Sequence, residues 1–278
     1  MVMETVPRLA VGKWCWRGLG TRSLGRGVAT ATTGARLRLR TPFSAFPAPG
    51  GGAPRDINEP DGEGWTALHF AAASSPAHAT RAILRHPHFA AADAKEDSGR
   101  TALHLAAANG RAAAVRALLA HRRFAAADAC DHVGRTALHW AAANGQTESL
   151  RTLLRHGRFT AADARDRQGL SALALASLKG HVPAVRALLR DFRFTAVDAQ
   201  DDEGWTALHA AAARGRAESM HELLEHPRFT AADAQDRAGL TALHLAAANG
   251  HVEAAAALLA HPRFGAAGAR DAGGRTAL

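Results

Sequence analysis

The sequence contains no tyrosine, and aromatic residues make up only 5% of it. So little ring area is thin for a compact globular core, where aromatic side chains supply much of the buried surface. There are two cysteines, Cys15 and Cys130, in no paired spacing. That argues against a disulfide framework or a cysteine zinc site and suits a reducing compartment. No apolar run approaches the roughly 18 residues of a membrane helix, so a protein that is not transmembrane is expected. Acid is nearly missing from one end. Residues 1–55 carry Arg8, Lys13, Arg17, Arg22, Arg26, Arg36, Arg38, Arg40 and Arg55 against Glu4 alone, a formal +8 out of +9 for the whole chain. The other 223 residues hold 25 basic and 24 acidic side chains. A net +1 gives no reason to expect nucleic acid on that body, which would want a basic stripe of its own.

Alanine and a fixed period fill these gaps. Thr101–Gly110 reads Thr-Ala-Leu-His-Leu-Ala-Ala-Ala-Asn-Gly and returns almost unaltered at Thr136 and Thr241, with looser copies at Thr66, Ser171 and Thr206 and a fragment at Thr276. Neighbouring copies lie 35 residues apart, and a constant period of this length marks a repeat architecture. The units run 61–95, 96–130, 131–165, 166–200, 201–235 and 236–270, with a partial unit at 271–278.

Each unit opens on an acidic residue and a glycine three places later, as in Asp131-His132-Val133-Gly134. The carboxylate suits a turn because it can accept from nearby backbone N–H groups. Thr136 is then placed to cap a helix, with Leu138, Ala141 and Ala142 on one face and Gly145 ending it. A second helix carries Leu150, Leu153 and Leu154. It stops at a histidine column, His86, His121, His156, His226 and His261, read as donors to the helix's last carbonyls. A phenylalanine column, Phe89 to Phe264, is expected to seal each layer.

The turn, the Gly-x-Thr-x-Leu-His-x-Ala-Ala core, the mid-unit glycine and the Leu-Leu helix together resemble the ankyrin repeat over residues 61–278. The resemblance implies an all-α solenoid of paired antiparallel helices with short β-hairpin or turn projections, and a concave groove that binds other proteins. It also implies that His69, His104, His139, His209 and His244 bond the helix cap and the neighbouring hairpin. The departures are alanine in place of the family's proline (Ala102, Ala137, Ala207), two extra residues around His-Pro-Arg-Phe, and aspartate at Asp93, Asp128, Asp163, Asp198 and Asp233 where the family often has asparagine. Unit four is the most divergent, with Ser171, Ala174 and Asp191. No polar capping unit closes the C-terminal end, which suggests a longer array.

Sixteen histidines invite a metal or catalytic reading. A column repeated in every layer spreads its members apart, whereas a metal needs ligands on one point. Recurrent pairs such as Asp128 and Asp131 lack the contrasting environments of an acid/base pair. No phosphate loop, nucleophile elbow or His-Glu-x-x-His helix occurs. The chain is therefore expected to be non-catalytic, without cofactor, metal or small-molecule substrate, and monomeric. Binding positions are sought where the unit varies. Those are Trp65, Arg100, Arg135 and Trp205 after the turn, Phe70 and Trp140 on the first helix in a column expected to face outward, and Lys179 and Arg214 at that helix's end. The expected function is a protein-interaction scaffold. Three alternatives remain from sequence: the recruitment arm of a larger enzyme, nucleic-acid or membrane-surface binding by the basic tail, and a near-neutral expansion of a repeat with no dedicated partner. Residues 1–55 read as a disordered tail ending in a Pro/Gly linker, as a mitochondrial or plastid transit peptide, or as upstream sequence joined to the frame. A cytoplasmic location is expected unless the transit reading holds.

Overall fold

The computed structural model describes residues 56–278. The readings of residues 1–55 as tail, linker or transit peptide, and Cys15, lie outside the described residues. Twelve helices occur among those residues, two per unit: α1 (Ala67–Ser74), α2 (Ala77–Arg85), α3 (Ala102–Ala108), α4 (Ala112–Ala120), α5 (Ala137–Ala143), α6 (Thr147–Arg155), α7 (Ala172–Lys179), α8 (Val182–Arg190), α9 (Ala207–Ala212), α10 (Ala217–Glu225), α11 (Ala242–Ala248) and α12 (Val252–Ala260). Odd-numbered helices pack on one another from unit to unit, and so do the even-numbered ones. The result is an all-α solenoid with almost no strand, and each layer can bury its apolar stripe only against its neighbours.

Unit three shows why the sequence takes this form. Asp131 Oδ1 accepts the backbone N–H groups of Val133 and Arg135, each at 2.9 Å, and Gly134 N donates to Asp131 O at 3.0 Å. Gly134 has φ +82°, and a Cβ there would stand 2.8 Å from Arg167 N of the next turn. The glycine is therefore needed for its backbone angle and for the close approach of the neighbouring hairpin. That neighbour is joined by one rung, Arg167 N to Val133 O at 2.9 Å, and the rung recurs from Asp97–Glu63 to Ala272–Ala238. The hairpins are thus a row of linked turns, with isolated β-bridges at Lys95–Thr101 and Arg165–Ser171.

Helix α5 ends in a Schellman arrangement. Gln146 N reaches Ala141 O at 2.8 Å and Gly145 N reaches Ala142 O at 3.2 Å, with Gly145 at φ +67°, which satisfies carbonyls that the helix leaves free. The core is small. Leu103, Leu138, Leu173, Leu208 and Leu243 are fully buried beside pairs such as Leu153–Leu154, and the phenylalanines from Phe89 to Phe264 are buried beneath the second helices. Alanines at the first-helix contacts (Ala106, Ala141, Ala176, Ala211, Ala246) are also fully buried. Small side chains on both faces let thin layers stack closely, which explains a core with few rings.

The histidines that end the second helices act differently from the sequence expectation. In three of the five, Nδ1 accepts rather than donates: His156, His226 and His261 take the backbone N–H of Arg158, Arg228 and Arg263 at 3.2–3.4 Å. The free carbonyls are served instead by the arginine two residues on, from the next unit. Arg158 Nη1 donates to Leu119 O (3.1 Å) and His121 O (2.7 Å), and its Nη2 to Phe124 O. Arg193, Arg228 and Arg263 repeat the pattern. A planar guanidinium has enough donors to serve three carbonyls at once, which gives the two extra residues of the unit a structural use. The aspartate column links layers too: Asp128 Oδ1 accepts from Thr160 N (2.7 Å) and Ala161 N (3.0 Å) of the following unit.

Candidate partner-binding surface

The turn carboxylates do more than shape turns. One oxygen closes the turn, and in several units the other fixes a side chain at a position where the unit varies. Asp131 Oδ2 accepts from Trp140 Nε1 at 2.8 Å. Asp166 Oδ2 accepts from Arg135 Nε at 3.1 Å, a pair whose side chains are 13% and 0% exposed. Asp236 Oδ2 accepts from Trp205 Nε1 at 3.1 Å. Glu96 holds Arg100 through both oxygens at 3.0 and 3.2 Å. Arg100 in turn lies over the Trp140 ring, 5.6 Å from its centroid, within cation–π range. At the first unit Trp65 packs on Phe70 with ring centroids 5.0 Å apart.

Trp65, Phe70, Arg100, Arg135, Trp140 and Trp205 are therefore half-buried side chains on the hairpin side of the first helices. Arg100 and Trp140, from adjacent units, come together on Glu96 and Asp131. Lys179 and Arg214 do not join this cluster. They lie at the ends of α7 and α9, Lys179 exposed and Arg214 half-buried. The first-helix column faces outward less than expected: Leu105, Leu175, Ala210 and Leu245 are buried. In this column only Phe70 and Trp140 reach the surface, Phe70 against the Trp65 ring and Trp140 bonded to Asp131. The capture of these side chains by a second carboxylate oxygen was not legible in the repeat pattern. A local signal existed only for Glu96 and Arg100, an acid four residues before an arginine; Trp140 lies nine residues after its carboxylate, and Arg135 and Trp205 bond the acid that opens the next unit.

Beneath the surface runs the first histidine column. Thr101 N donates to His104 Nδ1 at 3.0 Å, and His104 Nε2 lies 3.0 Å from Arg135 O in the next unit. A backbone N–H can only donate and a carbonyl only accept, so the ring is neutral with its proton on Nε2. Burial is the main reason that His69, His104, His139 and His209 are held below the ordinary histidine value, His104 at about 4. Each ring closes a cap and ties it to the next hairpin, which is a structural task. In unit four, where Ala174 replaces histidine, the ring's bonds are absent and the cap keeps only the bond from Ala174 N to Ser171 Oγ at 3.2 Å. Among the described residues no three His, Cys, Asp or Glu converge on a point that could hold a metal ion, and no helix is long and apolar enough to cross a membrane.

The family model for "Ankyrin repeats (3 copies)" matches residues 50–128, 123–198, 158–233 and 192–271. The crystal structure of the ankyrin repeat domain of Bcl-3, described as a unique member of the IkappaB protein family, is similar at 26% identity and TM-score 0.64, over 77% of this chain and 93% of that one. The crystal structure of EF0377, an ankyrin repeat protein, is similar at 28% identity and TM-score 0.60, over 70% and 97%. No curated protein sequence matches. Ankyrin repeats are generally protein-interaction modules. With its linked hairpins, paired helices and matching family model, this chain belongs to the ankyrin repeat family.

Proposed function

We propose that the chain is a non-catalytic scaffold that binds other proteins through the hairpin and first-helix face, at Trp65, Phe70, Arg100, Arg135, Trp140, Lys179, Trp205 and Arg214. The observation that carries this reading is the fixing of the variable side chains. Trp140 is held by Asp131 and covered by Arg100, and Trp205 is held by Asp236. Tryptophan and arginine dominate interface hot spots. Side chains already fixed in place lose little further freedom when a partner binds. A stable complex on this face would bury about 800 Å² on each side.

Affinity capture from the native cell extract tests the reading, with the full chain beside the same chain carrying Trp140→Ala and Trp205→Ala. A protein retained by the first and lost by the second is the expected result. Retention of the same set by both, or of nothing by either, sinks the proposal.

A further inference from the structure

A net charge of +1 over residues 56–278 hides a division of charge. In the first four units the second helices and the turns after them (76–90, 111–125, 146–160 and 181–195) hold twelve arginines against Glu148 and Asp191, a formal +10. The same segments of the last two units (216–230 and 251–265) hold three arginines against four glutamates. The carboxylates are concentrated on the hairpins, where they close turns. The fold thus separates the signs that the sequence interleaves.

Helices α2, α4, α6 and α8 pack side by side in chain order. Arg81, Arg116, Arg151 and Arg186 recur at one-unit intervals on their exposed face, with Arg85, Arg155 and Arg190 one helical turn further along. Packed helix axes lie 8–10 Å apart, so the row spans roughly 30 Å. The ion pair between Arg186 on α8 and Glu222 on α10 shows that side chains one unit apart on this face reach each other. Arg81, Arg85, Arg116, Arg122, Arg155 and Arg190 are exposed, and among the described residues none meets a carboxylate within ion-pair distance. The band's field also acts on its neighbours. Burial first, then Arg158 and Arg193, hold His156 below its ordinary value.

We propose that the outer-helix band of the first four units binds the phosphodiester backbone of nucleic acid without reading its bases. Three observations favour this occupant. The charges form a row of fixed spacing, which suits a linear polyanion of uniform charge. Guanidinium groups bind phosphate oxygens in a bidentate fork. Phe192, 84% exposed, is the one large apolar side chain exposed in these four segments. An acidic peptide would find few pockets for side chains there, and exposed ion pairs alone contribute little. A membrane surface would want a broader apolar face. A nucleic acid needs neither, because release of its condensed counterions drives the binding. The proposal does not depend on the protein-binding face described above.

The test measures fluorescence anisotropy of labelled 30-residue single-stranded RNA and duplex DNA against the full chain over a range of salt. The chain carrying Arg85→Gln, Arg116→Gln, Arg155→Gln and Arg190→Gln is compared with one carrying Arg22→Gln, Arg26→Gln, Arg36→Gln and Arg38→Gln in the basic N-terminal segment. At physiological salt, sequence-independent binding at Kd of about 10⁻⁴ to 10⁻⁶ M is expected. The four band substitutions should flatten the log–log salt slope by roughly three to four for duplex and about three for single strand. An unchanged slope in the band variant, with loss confined to the N-terminal variant, overturns the proposal. So does wild-type binding to polyglutamate or to phosphatidylglycerol vesicles as tight as to either nucleic acid. A second measurement needs no variant: arginine modification by phenylglyoxal, read by mass spectrometry with and without duplex. Protection of Arg81, Arg116 and Arg155 supports the proposal, and protection limited to residues 1–55 overturns it.

Discussion

Mild acid should weaken this solenoid through its buried histidines, at a pH where most carboxylates are still ionised. The perturbation is a fall in pH from 7.5 to 4.5. His69, His104, His139 and His209 each accept a backbone N–H at Nδ1. A proton added there would face another donor in a buried site. Each is accordingly held below the ordinary histidine value of 6.5, chiefly by burial. The unfolded chain therefore binds more protons than the folded one between the folded and unfolded values. Stability is then fully present above about pH 6.5 and is lost as the pH falls towards the folded values. For His104 the window runs from 6.5 to about 4, which at about 1.36 kcal/mol per unit corresponds to ~3 kcal/mol. The other three act in the same direction. The assay is urea unfolding followed by circular dichroism at half-unit steps of pH, for the wild type and for His104→Ala. The wild-type unfolding free energy should fall steadily below pH 6.5. The variant should be less stable at pH 7 but shallower by about 1.36 kcal/mol per pH unit near pH 5.5, where one proton uptake has been removed. A flat wild-type profile between pH 7 and 5, or identical slopes in the two proteins, would refute the reasoning.

Three further outcomes follow from the packing. Leu153→Ala removes a side chain with no solvent exposure and should cost ~2–5 kcal/mol in urea unfolding; a loss below about 0.5 kcal/mol would contradict its burial. Arg158→Ala strips donors from Leu119 O, His121 O and Phe124 O and should cost ~1.5–3 kcal/mol, whereas Arg122→Ala beside it should change the urea midpoint little. Trp205→Ala gives up a half-buried ring and one hydrogen bond to Asp236. It should leave the far-UV spectrum intact and weaken partner capture, and outright unfolding would place Trp205 in the core.

Much of the fold was legible because each structural task recurs at a fixed place. Asp131 and Gly134 announce a turn, Thr136 and His139 a helix start, Gly145 its end, and Leu153, Leu154 and Phe159 the buried face. The candidate site was legible only in part. Variation along the unit singled out Trp140 and Trp205, but Leu105, Leu175, Ala210 and Leu245 share Trp140's column and are buried. Periodicity tells which face of a helix a residue is on, and the contacts made with neighbouring units decide whether it emerges.

The 35-residue period, the helix pairs and the alanine-rich core were determined by the sequence alone, because turn chemistry, capping and apolar spacing act within a few residues. The tertiary structure decided which group satisfies which across layers. Arg158 rather than His121 serves the carbonyls of the helix before it, and the second oxygen of Asp236 captures Trp205. It also decided that a chain body of almost zero net charge carries a basic flank. These partners lie 31–39 residues apart in the chain, and only stacking one unit on the next brings them within reach.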